Sequence, residues 1–185
     1  MTEERLIELA REGDLQAFDD LMKIYYPVVE RFGFQLGNPA DMVDDITQEV
    51  FFRVYRYLHQ YSHGKFSTWL YQITLNVTRD LYRKRKSVWE KWNMLKQQPE
   101  GPRESTESFI LEDERDRELH MLIQSLDDRY KLPIVLFYFH EKKLDEIAEI
   151  LDLSLNTVKT RLSRGRERLK NALEKGGSED ANGFL

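Results

Sequence analysis

Apolar residues recur at intervals of three and four along most of the chain, which is the spacing of helices with one buried face. We expect a first short helix, with Leu6 and Leu9 inward, to end at Gly13, and Asp14 to cap the next. Pro27 is a predicted kink in that second helix. The inward residues are Phe18, Leu21, Met22, Tyr25, Val28, Val29 and Phe32 in the second helix, Val43, Ile46, Val50, Val54 and Leu58 in a third over about 41–58, and Leu70, Ile73, Val77 and Leu81 in a fourth from about 67 to past 86.

This pattern is lost after Trp92 and returns near Asp113. Residues 97–108, QQPEGPRESTES, have the composition of a mobile linker, and the polar GGSEDANGFL at the end predicts a disordered tail. No alternation typical of β-strands occurs, so we predict an all-α protein of two helical domains joined by a flexible linker. The predicted helices of the second domain cover about 114–125, 128–139, 144–151 and 155–174, and the predicted divisions are 1–92, 93–112 (linker), 113–175 and 176–185 (tail).

Composition narrows the classes of protein that this chain can represent. Its 185 residues include 41% hydrophobic side chains, enough for two small cores, and no cysteine, which excludes disulfides and thiolate metal sites. The opening MTEERLIELAREGD is too charged for a signal peptide, and no apolar run approaches the length of a membrane span. We therefore predict a cytoplasmic protein without membrane insertion of its own.

A short helix, a turn and a basic helix follow one another near the carboxyl end. Ser154 ends the predicted turn Asp152-Leu153-Ser154, and its hydroxyl is placed to cap the following helix. This spacing is typical of a helix-turn-helix unit, whose second helix enters the major groove of DNA with its N-terminal turns. The predicted core-facing residues are Leu144, Ile147, Ala148 and Leu151 in the first helix and Leu155, Val158, Leu162 and Leu169 in the second.

The second helix of this unit is far more basic than the protein as a whole. Residues 156–170 hold six Lys or Arg and one acid, whereas the chain carries a net charge of −5. Asn, Arg and Thr side chains in its first turns can contact base edges, and only some of the later cations can reach phosphate. The alternative is a solvated charged face. The exposed positions are predicted to be Asn156, Thr157, Lys159, Thr160 and Arg161 at the start, followed by Arg164, Arg166, Arg168 and Lys170 around several sides.

A second basic cluster, residues 83–86, ends the fourth helix, whose polar residues form a stripe at helical spacing. Such a stripe beside aromatic side chains suits single-stranded DNA, whose bases stack on aromatic faces. Phe66, Trp69 and Tyr71 are more typical of a core, which leaves Tyr61 and the polar residues of its loop as candidates. The stripe consists of Gln72, Asn76, Arg79, Arg83 and Lys86.

Two long segments resemble a known family. DDITQEVFFRVYRYL (44–58) with KFSTWLYQITLNVTRDLYRKRK (65–86) is similar to region 2 of bacterial sigma factors of the extracytoplasmic-function (ECF) group. LPIVLFYFHEKKLDEIAEILDLSLNTVKTRLSRGRERLKNAL (132–173) is similar to their region 4. The two segments stand in the family's order, separated by a linker. The resemblance implies an alternative sigma factor of the sigma-70 family, which directs promoter-specific transcription initiation and is not an enzyme.

The resemblance also implies partners and residue roles. Region 2 is expected to bind the largest subunit of core RNA polymerase and the −10 element of promoter DNA, and region 4 the second-largest subunit and the −35 element. An anti-sigma factor is an expected further partner, with no cofactor and no metal. The implied residues are Asp44, Asp45, Gln48, Glu49, Phe52 and Arg53 for core polymerase; Tyr61, Ser62, His63, Lys65, Gln72, Asn76, Arg79 and Arg83 for the −10 element; and Ser154, Asn156, Thr157, Lys159, Thr160, Arg161 and Arg164 for the −35 element.

Two other functions are compatible with parts of the pattern. The acidic face of the third helix can in principle hold a divalent cation, as in a nuclease, although no histidine pattern completes a catalytic set. His59 and His63 are a potential ligand pair in a loop. A stand-alone helix-turn-helix regulator independent of polymerase explains residues 128–173 but leaves the region 2 resemblance without a role. The acidic face comprises Asp41, Asp44, Asp45 and Glu49.

Overall fold

The computed structural model describes the backbone of residues 1–62, 64–95 and 114–176, and the side chains of 1–62, 64–87 and 117–174. Within these ranges the chain forms helices and short connections without a β-strand, which confirms the all-α prediction. The helices are α1 (Glu3–Arg11), α2 (Leu15–Gln35), α3 (Ala40–Tyr57), α4 (Phe66–Leu95), α5 (Glu114–Gln124), α6 (Asp128–Ile134), α7 (Leu144–Leu151) and α8 (Leu155–Gly176).

The chain divides into two compact units, as predicted. The limits proposed from the sequence, 1–92 and 113–175, remain predictions, and α4 itself continues to Leu95. Most of the predicted linker, 93–112, and of the predicted tail, 176–185, lies outside the described residues.

Local capping explains how the first unit begins. The Thr2 hydroxyl accepts a hydrogen bond from the Arg5 backbone N–H at the start of α1. Gly13 then adopts φ +97°, a left-handed conformation that favours glycine, and turns the chain into α2. The Asp14 carboxylate accepts hydrogen bonds from the backbone N–H groups of Gln16 and Ala17, at 2.9 and 3.1 Å. Both the end of α1 at Gly13 and the capping by Asp14 are therefore confirmed.

The core of the first unit is formed by α1 to α4. The predicted inward positions of α3 are all buried, and α3 packs directly on α4. A short 3₁₀ turn, Leu58–Gln60, continues α3, and α2 runs through Pro27 as one helix. Burial of these apolar side chains stabilises the unit by roughly 1.5–3 kcal/mol for each fully buried residue. The most completely buried side chains are Phe32, Leu21, Ile46, Leu70, Val29, Val43, Val50, Val54 and Val77.

In the second unit, α8 packs against α5, α6 and α7. Gly165 allows α8 to approach α6 closely, because a Cβ there would lie 3.1 Å from Cγ1 of Ile134 and 3.4 Å from the Tyr130 carbonyl oxygen. The predicted helix over 128–139 is confirmed in position, but its second half, Val135–Phe139, is π-helical.

One predicted core residue of this unit is not in the core. Val158, Leu162 and Leu169 are buried, whereas Leu155 is 41% exposed. Leu155 is the first residue of α8, so it lies where the helix projects beyond the elements that cover its later turns. The prediction that Leu155 faces the core is wrong.

Candidate polymerase and nucleic-acid interfaces

The helix-turn-helix unit consists of α7, the turn 152–154 and the first turns of α8. Asp152 ends α7 in the left-handed conformation, φ 53°, and the Leu153 backbone N–H donates to the Ala148 carbonyl at 2.9 Å. Ser154 accepts a hydrogen bond from the Thr157 backbone N–H at 3.2 Å, so the predicted cap is confirmed. Ile147 and Val158 are completely buried. These contacts hold the start of α8 in a defined orientation on α7.

The first turns of α8 present polar side chains. Asn156, Lys159 and Thr160 are exposed, while Thr157 and Arg161 are half-buried. The Thr160 hydroxyl donates to the Asn156 carbonyl at 2.9 Å, which uses its proton within the helix. An amide, an ammonium and a guanidinium group thus stand within six residues at the end of the helix that a major groove would receive.

The later cations of α8 differ in their surroundings. The Arg168 guanidinium lies over the ring of Tyr130, 4.6 Å from its centroid, and Lys170 is 3.9 Å from the Glu174 carboxylate. Arg164 and Arg166 are exposed. Arg168 is exposed and also packs on an aromatic side chain of its own unit, so a contact between Arg168 and phosphate stays a prediction.

The residues of the predicted polar stripe lie on one helix, α4. Asn76, Arg79 and Arg83 are exposed and Gln72 is half-buried. Arg83 also forms an ion pair with Asp80, one turn earlier on the same helix. Together with Lys84 and Ser87, these two residues line an open surface depression.

The loop before α4 is organised by an aromatic cluster. The Tyr61 hydroxyl donates to the Gly64 carbonyl at 2.6 Å, and its ring lies 5.3 Å from that of Trp69 and 5.6 Å from that of Phe66. Phe66 and Tyr71 are buried and Trp69 is half-buried, as expected for core side chains. Tyr61 is half-buried against the rings of Phe66 and Trp69, so its side chain stabilises the conformation of the loop. Ser62 and Lys65 are exposed, and His63 lies outside the described residues.

The exposed side of α3 combines carboxylates with one large apolar side chain. Asp44, Asp45 and Gln48 are exposed, and Phe52 is 58% exposed. Tyr55, which the sequence had not singled out, is 56% exposed on the next turn. The spacing of apolar residues in α3 places neither Phe52 nor Tyr55 on the buried face. The sequence pattern therefore already indicated that both side chains are exposed.

Three of the predicted core-binding residues, Asp45, Glu49 and Arg53, are also part of an ion-pair network between α3 and α4. Arg53 donates to Glu49 at 2.7 Å and, across the helix interface, to Asp80 at 3.0 Å. Arg85 donates to Asp41 at 3.1 Å and lies 3.5 Å from Asp45. Helical spacing within one element did not reveal these contacts, because they join residues that are distant in sequence.

This network changes the protonation properties of its members. The hydrogen bond from Arg83, and after it the one from Arg53, holds the pKa of Asp80 below its usual value. Partial burial alone lowers the pKa of Arg53, but hydrogen bonds to Glu49 and Asp80 outweigh it and raise that pKa. Outside this network, burial, followed by the charge of Asp44, raises the pKa of Glu30 on α2.

The acidic face does not form a metal site in the described part of the chain. Among the side chains that the structure describes, those of residues 1–62, 64–87 and 117–174, no three His, Asp or Glu groups converge in a geometry that suits a metal ion. In the same ranges, every helix is too short or too polar to cross a lipid bilayer.

The second unit contains a helix-turn-helix whose last helix exposes polar side chains, and the first unit has an acidic and a basic surface. Together these features define a DNA-binding transcription protein. Sequence comparison defines it further. Residues 12–88 match the model of Sigma-70 region 2, and residues 116–169 match that of Sigma-70, region 4. The ECF RNA polymerase sigma factor SigW of Bacillus subtilis is 33% identical over 90% of this chain and 94% of its own. The chain belongs to the ECF group of the sigma-70 family and is an alternative sigma factor for promoter-directed transcription.

Other relatives and solved structures agree with this assignment. The ECF sigma factor SigE of Mycolicibacterium smegmatis is 29% identical over 92% of this chain and 66% of its own. CnrH, solved in complex with the cytosolic domain of CnrY, has a TM-score of 0.71 at 24% identity and covers 94% of this chain and 97% of its own. RpoE of Bartonella quintana, solved with the anti-sigma factor NepR, has a TM-score of 0.68 at 20% identity, covering 86% and 98%. At these identities the two structures support the fold.

Proposed function

We propose that this sigma factor reads the −35 element with the first turns of α8. The observation that carries this proposal is the capped start of α8, which projects from a buried helix-turn-helix core and exposes Asn156, Lys159 and Thr160. Asn suits adenine, and Arg161 suits guanine, by paired hydrogen bonds in the major groove. Ser154, Thr157 and Arg164 flank these residues and are assigned to the same contact.

The opened −10 strand is assigned to α4 and the loop before it. Asn76, Arg79 and Arg83 form an exposed polar stripe, and the loop is supported by the cluster of Tyr61, Phe66 and Trp69. Extracting a base from a duplex costs a few kcal/mol, which stacking and phosphate contacts must offset. The half-buried Tyr61 ring and the cations of the stripe supply these two kinds of contact. Ser62, His63, Lys65 and Gln72 complete the assigned set.

Core polymerase is assigned to the exposed side of α3. Asp44, Asp45 and Gln48 provide polar contacts, and Phe52 provides an apolar anchor of the kind that dominates protein interfaces. Glu49 and Arg53 are assigned with them, although each is also held in an ion pair within the protein. We assign this surface to the largest subunit, and the second unit to the second-largest subunit.

We further infer that the protein acts in the cytoplasm, catalyses no reaction itself and needs no cofactor. An anti-sigma factor is a proposed regulator, because RpoE of Bartonella quintana was solved with one and shares this fold. A stand-alone regulator would act on promoter DNA without polymerase, so the two functions give different results in one experiment.

That experiment is transcription in vitro. The full chain is incubated with core RNA polymerase and fragmented genomic DNA, and the 5′ ends of the transcripts are sequenced. We expect discrete start sites that share two upstream elements and depend on both protein and core enzyme. Binding to specific duplex DNA without any core-dependent initiation would contradict the proposal and support the stand-alone regulator.

A further inference from the structure

Helix α1 carries none of the residues that we assign to polymerase or DNA, yet it packs beside the loop before α4. It contacts the 3₁₀ turn Leu58–Gln60, which leads into that loop. Leu6 and Ile7 of α1 are buried in the same apolar core as Leu58 and Phe66, which lie on either side of the loop. The position of α1 therefore affects the packing at both ends of the loop.

The buried Tyr25 connects α2 with the start of α1. Its hydroxyl donates a hydrogen bond to Oε1 of Glu3 at 2.7 Å, although Tyr25 is only 7% exposed. A buried tyrosine hydroxyl needs a partner, and a carboxylate is a strong acceptor. Burial, followed by the hydrogen bond to Glu3, raises the pKa of Tyr25, so the hydroxyl keeps its proton and remains a donor at neutral pH.

The ring of Tyr25 extends this connection to the loop. Its centroid lies 5.1 Å from that of Phe66, the first residue of α4. Phe66 in turn contacts Tyr61, with 5.6 Å between the ring centroids and an angle of 89° between the ring planes. Edge-to-face pairs have a preferred geometry, so a displacement of the Phe66 ring also displaces Tyr61. A hydrogen bond followed by ring contacts thus connects Glu3 with Tyr61.

The conformation of the loop depends on Tyr61. Its backbone N–H donates to the Leu58 carbonyl at 3.0 Å, and its hydroxyl donates to the Gly64 carbonyl at 2.6 Å. A specific binding site requires side chains that their surroundings hold to within about 0.5 Å. The contacts of Tyr61 therefore determine where a base can stack on the loop.

We propose that the hydrogen bond between Tyr25 and Glu3 positions Tyr61 for the captured base, so that Glu3 and Tyr25 are positioning residues for base selection in the −10 element. This inference rests on the proposed function, in which the loop before α4 receives a base of the opened strand. Glu3 and Tyr25 act through Phe66 and Tyr61 rather than by touching the base. Loss of the bond changes discrimination among bases more than binding of the whole strand, because the cations of α4 stay in place to contact phosphate.

The test removes the hydrogen bond from either side. Tyr25→Phe keeps the ring and loses the hydroxyl, whereas Glu3→Ala loses the acceptor. Glu3→Gln keeps an acceptor oxygen without the charge. The matched control is Glu4→Ala, which makes the same change of charge at the neighbouring exposed position in the first turn of α1.

Hydrogen exchange of the free, full-length proteins measures the conformation of the loop. We expect Tyr25→Phe and Glu3→Ala to speed amide exchange in peptides that contain Tyr61 about threefold to tenfold, which is the effect of losing one hydrogen bond. Glu3→Gln should change this exchange less than Glu3→Ala, and Glu4→Ala should leave it unchanged. Unchanged exchange of the loop would overturn the proposal. An equal increase in peptides from the middle of α3 would overturn it too, because the bond would then stabilise the whole unit.

A second measurement tests base selection in the complex with core polymerase. Fluorescence anisotropy compares binding of each complex to labelled single-stranded DNA that carries the −10 sequence found by transcript sequencing, and to single-base variants of that DNA. Discrimination at one position should fall about threefold to tenfold in Tyr25→Phe and Glu3→Ala, and should be retained in Glu4→Ala. The double variant Glu3→Ala/Tyr25→Phe should lose no more than either single variant, because both changes remove the same bond.

Two results of the binding measurement would contradict the proposal. Equal weakening for every base would show that the bond does not act on base selection, and an equal loss in Glu3→Gln and Glu3→Ala would show that the hydrogen bond is not its cause. Failure of the proposed function is seen separately, as absence of core-dependent transcription by the parent. The exchange measurement on the free protein does not depend on that result.

Discussion

At the scale of single residues, position in the fold separates side chains that look alike in sequence. Leu155 and Leu162 lie on one face of the same helix by spacing, yet only Leu162 is covered. Arg161 and Arg168 are two cations of one basic helix, yet Arg168 packs on Tyr130. We therefore expect truncation to have different effects on the two members of each pair.

The two leucines should differ in their effect on stability. Leu162→Ala removes a buried side chain, 7% exposed, and should lower the free energy of unfolding by about 2–5 kcal/mol. Leu155→Ala should cost less than about 1 kcal/mol, because much of that side chain is already in water. Urea denaturation of both variants measures the difference. Similar losses would show that Leu155 is covered after all.

Truncation of the two arginines should change different properties of the protein, DNA base preference for Arg161 and stability for Arg168. Arg161→Ala should relax base preference at one position of the −35 element by about 1–3 kcal/mol. Arg168→Ala should lower stability by about 0.5–1 kcal/mol through loss of the contact with Tyr130, and should leave the salt dependence of DNA binding unchanged. Binding to single-base variants of the element at several salt concentrations separates the two. A salt slope reduced by about one unit in Arg168→Ala would indicate a phosphate contact instead.

At the scale of elements, the interface between α3 and α4 combines an apolar core with an ion-pair border. Val50 of α3 and Val77 of α4 are completely buried in the core of this unit, while Arg53 and Asp80 join the two helices by an ion pair. The core supplies most of the stability of this interface, because partly exposed ion pairs contribute little. The border instead makes the interface sensitive to pH.

Acid should remove the contribution of Asp80. Its pKa in the folded protein is lowered, so the ionised form is favoured by folding, and the stabilisation is fully present above the unfolded value of about 4. It is lost as the pH falls through the folded value. The difference in unfolding free energy between parent and Asp80→Asn should therefore shrink below about pH 4.

Chemical denaturation across a pH series measures this difference. Arg83→Ala should reduce the same pH dependence, since Arg83 is the main cause of the lowered pKa. Parallel stability profiles for the parent and Asp80→Asn over the whole series would contradict the assignment.

At the scale of the whole molecule, charge is divided between surfaces. The net charge of −5 includes an acidic face on α3 and a recognition helix with an excess of cations. One chain can therefore present one sign of charge to a protein partner and the other to DNA. Like-charge repulsion between the acidic face and DNA also opposes binding in the wrong orientation.

Neutralising the acidic face should weaken polymerase binding. Asp45→Asn with Glu49→Gln should lower affinity for core enzyme about tenfold, or ~1.4 kcal/mol, because two carboxylates of the proposed interface lose their charge. Neutral side chains are preferable to Lys, which would repel the nearby Arg85 and Arg53. Competition for core enzyme against a labelled sigma factor measures the loss.

Asp19→Asn with Asp20→Asn serves as the control of equal charge. If the control variant loses the same affinity for core enzyme, the loss is caused by the change in net charge and not by the residues of α3.

The sequence by itself determined the helices, their buried faces, the caps at Asp14 and Ser154 and the family. These features depend on local spacing and on short-range hydrogen bonds, which a linear pattern contains. Only the tertiary structure decided that Leu155 is exposed, that Arg168 packs on Tyr130 and that Arg53 and Arg85 bridge α3 and α4. The physical reason is that coverage of a helix end and pairing of charges between helices depend on how the elements pack, and helical periodicity describes each element alone.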